Sequence, residues 1–188
     1  DQRSWQTGLL ISDWAAGPQT TNFEFGNARE PGWMLIIVMA AYNATEDPFY
    51  LNAARLMVRK VREKSQATGG LGFYNHRLSR GHCNCETKHF GEAGFMLATL
   101  MTGLHMFHEA TGDERAADDI VKIVRYIIKT MWVPETKAFR YTSCPKTGPG
   151  AGRTWIQSVG FGFAARRSNA PEIIRITFDS LAAAWQSL

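Results

Sequence analysis

The residues best suited to chemistry lie in one short stretch, Gly72-Phe73-Tyr74-Asn75-His76-Arg77-Leu78-Ser79-Arg80-Gly81-His82-Cys83-Asn84-Cys85-Glu86-Thr87-Lys88-His89. It holds three of the chain's five histidines and two of its three cysteines. Histidine titrates near neutral pH and serves as an acid–base group or a metal ligand. Acid–base work on a sugar takes two forms. A hydrolase needs two carboxylates flanking the scissile bond, about 5 to 10 Å apart according to stereochemistry. Glu86 lies in the stretch, and Glu30 and Glu92 stand at the starts of apolar runs. A lyase needs a base, such as Tyr74, His76 or His82. It also needs a cation or amide, such as Arg77 or Asn75, to neutralise a uronate carboxylate as the α-proton leaves. Tyr74, His76, His82 and Glu86 are therefore the candidate catalytic residues.

Two other readings of the stretch compete. His82, Cys83, Cys85 and His89 offer ligands suited to Zn²⁺, with Cys144 or Glu86 to complete the set. Cys-x-Cys is not a usual structural zinc spacing and no second paired motif follows, so no cofactor is expected and zinc is the lesser alternative. The stretch can also be structural, its histidines and cysteines buried by the loop's own packing. His105 and His108, three apart in an apolar run, read as packing residues. Gly148-Pro149-Gly150-Ala151-Gly152 lacks a preceding strand and a Gly-Lys-Ser/Thr end, which argues against a nucleotide site.

Helices must position these residues. A turn motif occurs twice: Ala44-Thr45-Glu46-Asp47-Pro48 and Ala110-Thr111-Gly112-Asp113-Glu114, each with an apolar helical pattern before it and an amphipathic one after it. A repeated helix–turn–helix unit implies an array, because one hairpin cannot bury its apolar face alone. The pattern predicts helices over about Trp33–Asn43 and Pro48–Gln66, Gly91–Ala110 and Asp113–Trp132, and Thr154–Arg167 and Pro171–Leu188. Asp47 and Asp113 supply N-caps and Pro48 an N1 proline. The expected architecture is all-α, three hairpins in two layers, spanning residues 32–188. Residues 1–31 form an irregular segment packed on it, with a short helix within Ser4 to Ala15.

The connections are unequal. Links from apolar to amphipathic helices are tight turns, whereas Ala67 to Phe90 and Val133 to Arg153 are long, and the N-terminal stretch occupies the equivalent place. Long loops without structure of their own are uncommon unless functional. In an array of like-oriented hairpins they gather at one end. A ligand site is expected there, with Asn27, Arg29, Glu30, Trp33, Arg77, Arg140 and Arg153 as binding residues. Trp33 offers a face for a sugar ring and the cations suit an acidic glycan.

Composition narrows the classes. The chain has 188 residues, 45% apolar and 20% charged, with a net charge of +4. Basic residues are scattered among acids, which excludes a nucleic-acid arm. The longest apolar stretch, Trp33 to Tyr42, is too short to span a bilayer. Three cysteines argue against a disulfide scaffold. The chain begins at Asp1 without Met, and a secreted or periplasmic location is slightly favoured.

The paired turns, with the Gly-aromatic helix starts Gly32-Trp33 and Gly94-Phe95, resemble those of the α/α-toroid (six-hairpin glycosidase-like) superfamily of glycoside hydrolases and polysaccharide lyases. The resemblance covers about Pro31 to Leu188. It implies about half of a toroid and a carbohydrate-active domain, hydrolase or lyase; with Lys137, Arg140, Lys146 and Arg153 outnumbering Glu135 in the last long loop, the expected substrate is an oligo- or polysaccharide that is acidic or contains uronate. Further hairpins of the same parent chain would complete the ring. The alternative it leaves is a non-catalytic helical interaction or glycan-binding module of a larger protein. No catalytic motif of the superfamily maps onto these loops residue by residue.

Overall fold

The computed structural model describes all residues except 18–23, 68–72, 79–80, 84, 87–89, 151–153 and 188. Among the described residues the helices are α1 (Gln2–Ala16), α2 (Arg29–Thr45), α3 (Pro48–Ala67), α4 (Gly94–Thr111), α5 (Glu114–Met131), α6 (Thr154–Ser168) and α7 (Pro171–Gln186). Two short antiparallel ribbons lie in the long connections. One pairs β1 (His76–Arg77) with β2 (Phe90–Gly91), the other β3 (Trp132–Val133) with β4 (Ala138–Phe139). The protein is all-α, with three hairpins (α2–α3, α4–α5, α6–α7) in two layers.

The inner layer is α2, α4 and α6, and α4 packs against both of the others. Its sequence is apolar nearly all round, which fits a helix buried on most sides. Leu97, Leu100, Met101 and Leu104 are fully buried. α5 is instead amphipathic, turning Ile120, Ile123, Val124 and Ile127 inward. The crossing of α2 and α4 depends on glycine. A Cβ on Gly32 would lie 2.6 Å from the Leu100 nitrogen, and one on Gly103 would lie 2.6 Å from the Leu35 Cβ. Residue numbers rise together across this contact, so the two inner helices run parallel.

The three tight turns share one construction. Thr45, Thr111 and Ser168 each donate a side-chain hydroxyl to the carbonyl four residues back, at 2.8, 2.6 and 2.7 Å. The same oxygens accept the N–H of Asp47, Asp113 and Ala170 at 3.2, 3.2 and 3.4 Å. The residue between is left-handed each time: Glu46 (φ 58°), Gly112 (φ 67°) and Asn169 (φ 47°). This is the αL ending common at helix C-termini. The third copy, Ser168-Asn169-Ala170-Pro171, keeps the geometry with different letters.

Three boundaries differ from expectation. α4 begins at Gly94 and not at Gly91, because Phe90–Gly91 pairs with His76–Arg77. α2 begins at Arg29, ahead of Pro31-Gly32, because a proline in the first turn forfeits an N–H that has no helical partner anyway. α1 fills half of the N-terminal stretch, with Asp1 as its cap accepting the Ser4 N–H at 2.9 Å. It packs on α2 and α3 through Ser12, Ala15 and Ala16, yet leaves Trp5, Leu10, Ile11 and Trp14 exposed.

Candidate active site

The segments that precede α2, α4 and α6 meet. The Tyr74 hydroxyl donates to the Phe25 carbonyl at 2.5 Å, tying the α3–α4 loop to the segment before α2. The Glu92 N–H donates to Ser143 Oγ at 2.9 Å, and the Ser143 N–H returns a bond to the Glu92 carbonyl at 2.8 Å. Gly94 N–H donates to the Tyr141 carbonyl at 3.1 Å. Thr142 Oγ1 donates to the His82 carbonyl at 2.9 Å. A Cβ on Gly91 would collide with the Ser143 hydroxyl, so only glycine lets the two loops close this far.

Glu92 stands at the centre. It is fully buried just before α4, and neither carboxylate oxygen makes a hydrogen bond of good geometry. His76 stands beside it, with Nδ1 3.5 Å from Oε2. Burial pushes the Glu92 carboxyl well above the usual carboxylate range, and the Tyr74 backbone offsets only part of this. Burial also lowers the His76 pKa, with Glu30 opposing and Arg29 reinforcing the shift. Both groups are thus biased toward their neutral forms: a protonated carboxyl beside an uncharged imidazole. Asn75 Oδ1, both His76 ring nitrogens and Gln157 Oε1 are likewise buried without partners. Gln157 of α6 reaches this end of α4, since a Cβ on Gly94 would lie 2.5 Å from its Nε2. Buried polar groups cost about 1–3 kcal/mol each when unpaired, so several together mark a place where water or a ligand completes the bonding.

The sequence-predicted residues fall into three groups. Tyr74, His76, His82, Arg29 and Glu30 come within electrostatic reach of one another: Glu30 and Glu92 raise the Tyr74 pKa, after burial, and His76 and Arg29 lower that of His82, again after burial. Asn27 joins them by donating Nδ2–H to Glu30 Oε1 at 2.7 Å and accepting the Arg29 N–H at 3.0 Å. The His82 ring lies 5.6 Å from Tyr141, which stacks on Phe95 at 5.7 Å. A second group is at the surface: Trp33, Arg77 and Glu86 are exposed, and Arg140 is half-buried with its N–H on the Met131 carbonyl at 2.8 Å. Arg153 and His89 lie outside the described residues. Tyr74 is fully buried and its hydroxyl is committed to Phe25, so it braces the loop rather than offering a phenolate. His105 and His108 pack on Phe163 at 5.0 and 5.6 Å.

Glu92 and Gln157 carry more of the site than the sequence assigned to them. The available signal was a lone acid, Glu92, inside the otherwise apolar run that starts α4.

Beside this cluster the three cysteines converge. Cys144 Sγ is 3.6 Å from Cys83 Sγ and 3.7 Å from Cys85 Sγ, and all three sulfurs lie within 4.8 Å of one another. No disulfide joins them. Contact with Cys83, then burial and Cys144, pushes the Cys85 thiol up to about 11. Of the sequence's ligand set the group keeps Cys83, Cys85 and the completing Cys144; among the described residues the His82 ring is not part of it.

Two cavities of about 580 Å³ lie elsewhere. One is between α3 and the α4–α5 turn, lined by Arg55, Arg59, Arg62 and Arg115 together with Glu63 and Asp113. The other backs onto Tyr74 from Glu24, Phe25, Lys60 and Lys64. Neither opens on Glu92.

The fold is that of the α/α toroids, over about half of the length of the solved structures it matches. It is similar to the GH76 alpha-mannanase of Bacteroides thetaiotaomicron, with a TM-score of 0.63 and 13% identity, covering 84% of this chain and 43% of that one. It is also similar to the GH76A alpha-1,6-mannanase of Salegentibacter sp. HEL1_6 (TM-score 0.58, 10% identity, 85% of this chain and 47% of that one). An inactive form of the latter, with two consecutive aspartates replaced, is known in complex with alpha-1,6-mannotetrose. The chain thus spans less than half the length of these structures. No protein-family model matches it, and no curated protein does.

Proposed function

We propose that the chain is the glycan-handling part of a toroid-fold carbohydrate-active protein, with its subsite at the loop end around Glu92, His76 and Glu30. The observation that carries this is the Glu92 carboxyl. A glycosidic leaving group departs only if protonated, and an acid does this at neutral pH when its pKa is raised by burial. Glycoside hydrolysis is the leading reading; of the three bases a lyase could use, Tyr74 is pinned to a backbone carbonyl, which leaves His76 and His82 to that alternative. Exposed Trp33, at the start of α2, and Trp155, at the start of α6, supply flat apolar faces for sugar rings. Among the described residues Arg29, Arg77 and Arg140 are cations of this end, against Glu24 and Glu30. A mixed lining of this kind suits a weakly acidic or neutral glycan as well as a polyuronate.

The ring would be completed by further hairpins of the same parent chain. Trp5, Leu10, Ile11 and Trp14 on α1, and Phe178 and Trp185 on α7, lie on the outer margins of the array with large apolar areas in water. Contiguous apolar exposure of this kind marks contact surfaces.

A second reading, a glycan-binding module without catalysis, has one observation in its favour. The only consecutive aspartates in the chain are Asp118 and Asp119. They sit on outer helix α5, where Asp119 pairs with Arg62 at 2.8 Å and Asp118 with Arg167 at 3.3 Å. Incubation with α-1,6-mannan and with uronate polymers separates the readings. Reducing ends that vanish with Glu92→Gln support hydrolysis, unsaturated product supports a lyase, and retained binding without product supports the module.

A further inference from the structure

We propose that Cys83, Cys85 and Cys144 form a thiolate site for one zinc ion that staples the α3–α4 loop to the α5–α6 loop. The inference stands apart from the glycan reading and needs none of its residues.

The first support is the spacing. A tetrahedral zinc ion with Zn–S bonds of about 2.3 Å holds its sulfurs about 3.8 Å apart. The sulfurs here lie at 3.6 and 3.7 Å from Cys144, with all three mutually within 4.8 Å. A disulfide would need about 2.05 Å and would use only two of the three. Three sulfurs around one point suit a cation better than any pairing does.

The second support is what surrounds them. Leu78, Cys83 and Cys144 form a small core separate from the main one, with Cys85 at its margin. One leucine and three sulfurs bury little apolar area, and a metal adds cohesion to small clusters of this kind.

The third is a backbone already fixed around Cys144 and at His82, beside Cys83. Thr142 Oγ1 accepts the Cys144 N–H at 3.2 Å while donating to the His82 carbonyl, and Thr147 Oγ1 donates to the Cys144 carbonyl at 2.8 Å. Ligands held in this way lose little freedom on binding.

On loading, each thiol gives its proton to solvent, so Zn²⁺ and three thiols become a Zn(Cys)₃ centre of net charge −1 and three protons. Water fills the fourth position. Ser143, next to Cys144, is the residue that brackets Glu92, so the staple would also hold the wall of the site.

The test uses the full chain, purified under reducing conditions, stripped with chelator and titrated with Zn²⁺ alone and Co²⁺ alone. One ion per chain is expected, with three thiols shielded from an aromatic disulfide reagent and a strong thiolate-to-cobalt charge-transfer band. Cys144→Ser should weaken binding at least tenfold, and His105→Ala, on α4 away from the sulfurs, should leave it unchanged. Lack of stoichiometric metal in the reduced wild-type chain, or a cobalt spectrum without the thiolate band, would overturn the proposal. So would Cys144→Ser binding as tightly as wild type. If Cys144→Ser fails to fold, the wild-type stoichiometry and cobalt spectrum still decide. Isolation of the chain with a Cys144 disulfide that forms equally well in excess Zn²⁺ also counts against it.

Discussion

The two ends of the inner helices are built on opposite principles. At the turn end, three short connections repeat one hydrogen-bonded design, and Asp113, Asp119 and Arg62 find partners. Asp113 caps α5 by accepting the Ala116 N–H at 2.9 Å, while Arg62 binds Asp113 and Asp119 at 3.2 and 2.8 Å. At the loop end, Glu92, His76, Asn75 and Gln157 keep buried polar atoms without partners. Among the described residues most of the unpartnered buried atoms lie at the second end. Natural proteins tolerate such a local loss where function requires it.

Replacement of Glu92 tests this difference most severely. Glu92→Gln should reduce any hydrolytic rate by about 100-fold or more, the usual worth of a general acid, and should raise the melting temperature at neutral pH. Paired rate and thermal-denaturation measurements check both, and a stabilised protein with undiminished rate would remove Glu92 from the chemistry.

The pH profile of stability sharpens the same point. Because the folded Glu92 pKa is raised, the unfolded chain ionises first as pH rises above the ordinary 4.5, and the folded state loses stability until its own carboxyl ionises. His76 acts from the other side. Its folded pKa is lowered, so stability is lost as pH falls below the ordinary 6.5, where the unfolded chain takes up a proton first. His82 adds a shift of the same sign as His76. Chemical denaturation across pH should show Glu92→Gln losing the alkaline-side decline while keeping the acid-side one.

At the turn end the sign should reverse. Arg62→Ala leaves the buried Asp119 carboxylate without its main partner and should cost about 3 kcal/mol, with glycan binding unaffected. Urea titration measures it. Within the inner layer, Gly32→Ala forces a methyl against the α4 backbone and should cost about 1–3 kcal/mol by the same method. The smallest effect is expected for Thr111→Val, which removes the hydroxyl that bridges the Phe107 carbonyl and the Asp113 N–H. Its cost is about 1 kcal/mol. A stabilising Arg62→Ala would break the contrast between the two ends.

The hairpins were legible because their turns repeat in sequence. Thr45/Thr111 and Asp47/Asp113 are local signals, and the helices that follow them carry ordinary amphipathic patterns. The third turn was readable through Pro171, although its serine hydroxyl bond is not visible in the letters. The loop end was legible only as a place. That Tyr74 braces Phe25, that Ser143 brackets Glu92, and that Cys144 joins Cys83 and Cys85 are contacts between residues about 50 to 60 apart in sequence. No local rule of propensity or capping encodes such contacts. Glu92 was visible as an acid in an apolar run, but its burial depends on loops from elsewhere closing over it.

Glycan bound at the loop end, and not at the turn end, would leave a distinct trace in amide hydrogen exchange on the intact chain, measured with and without α-1,6-mannan and polyuronate oligosaccharides. Added protection is expected in residues 24–33, 73–78 and 139–147, and none at 45–47, 111–113 and 168–170. Protection confined to the turns, or absent with every glycan tried, would contradict binding at the loop end.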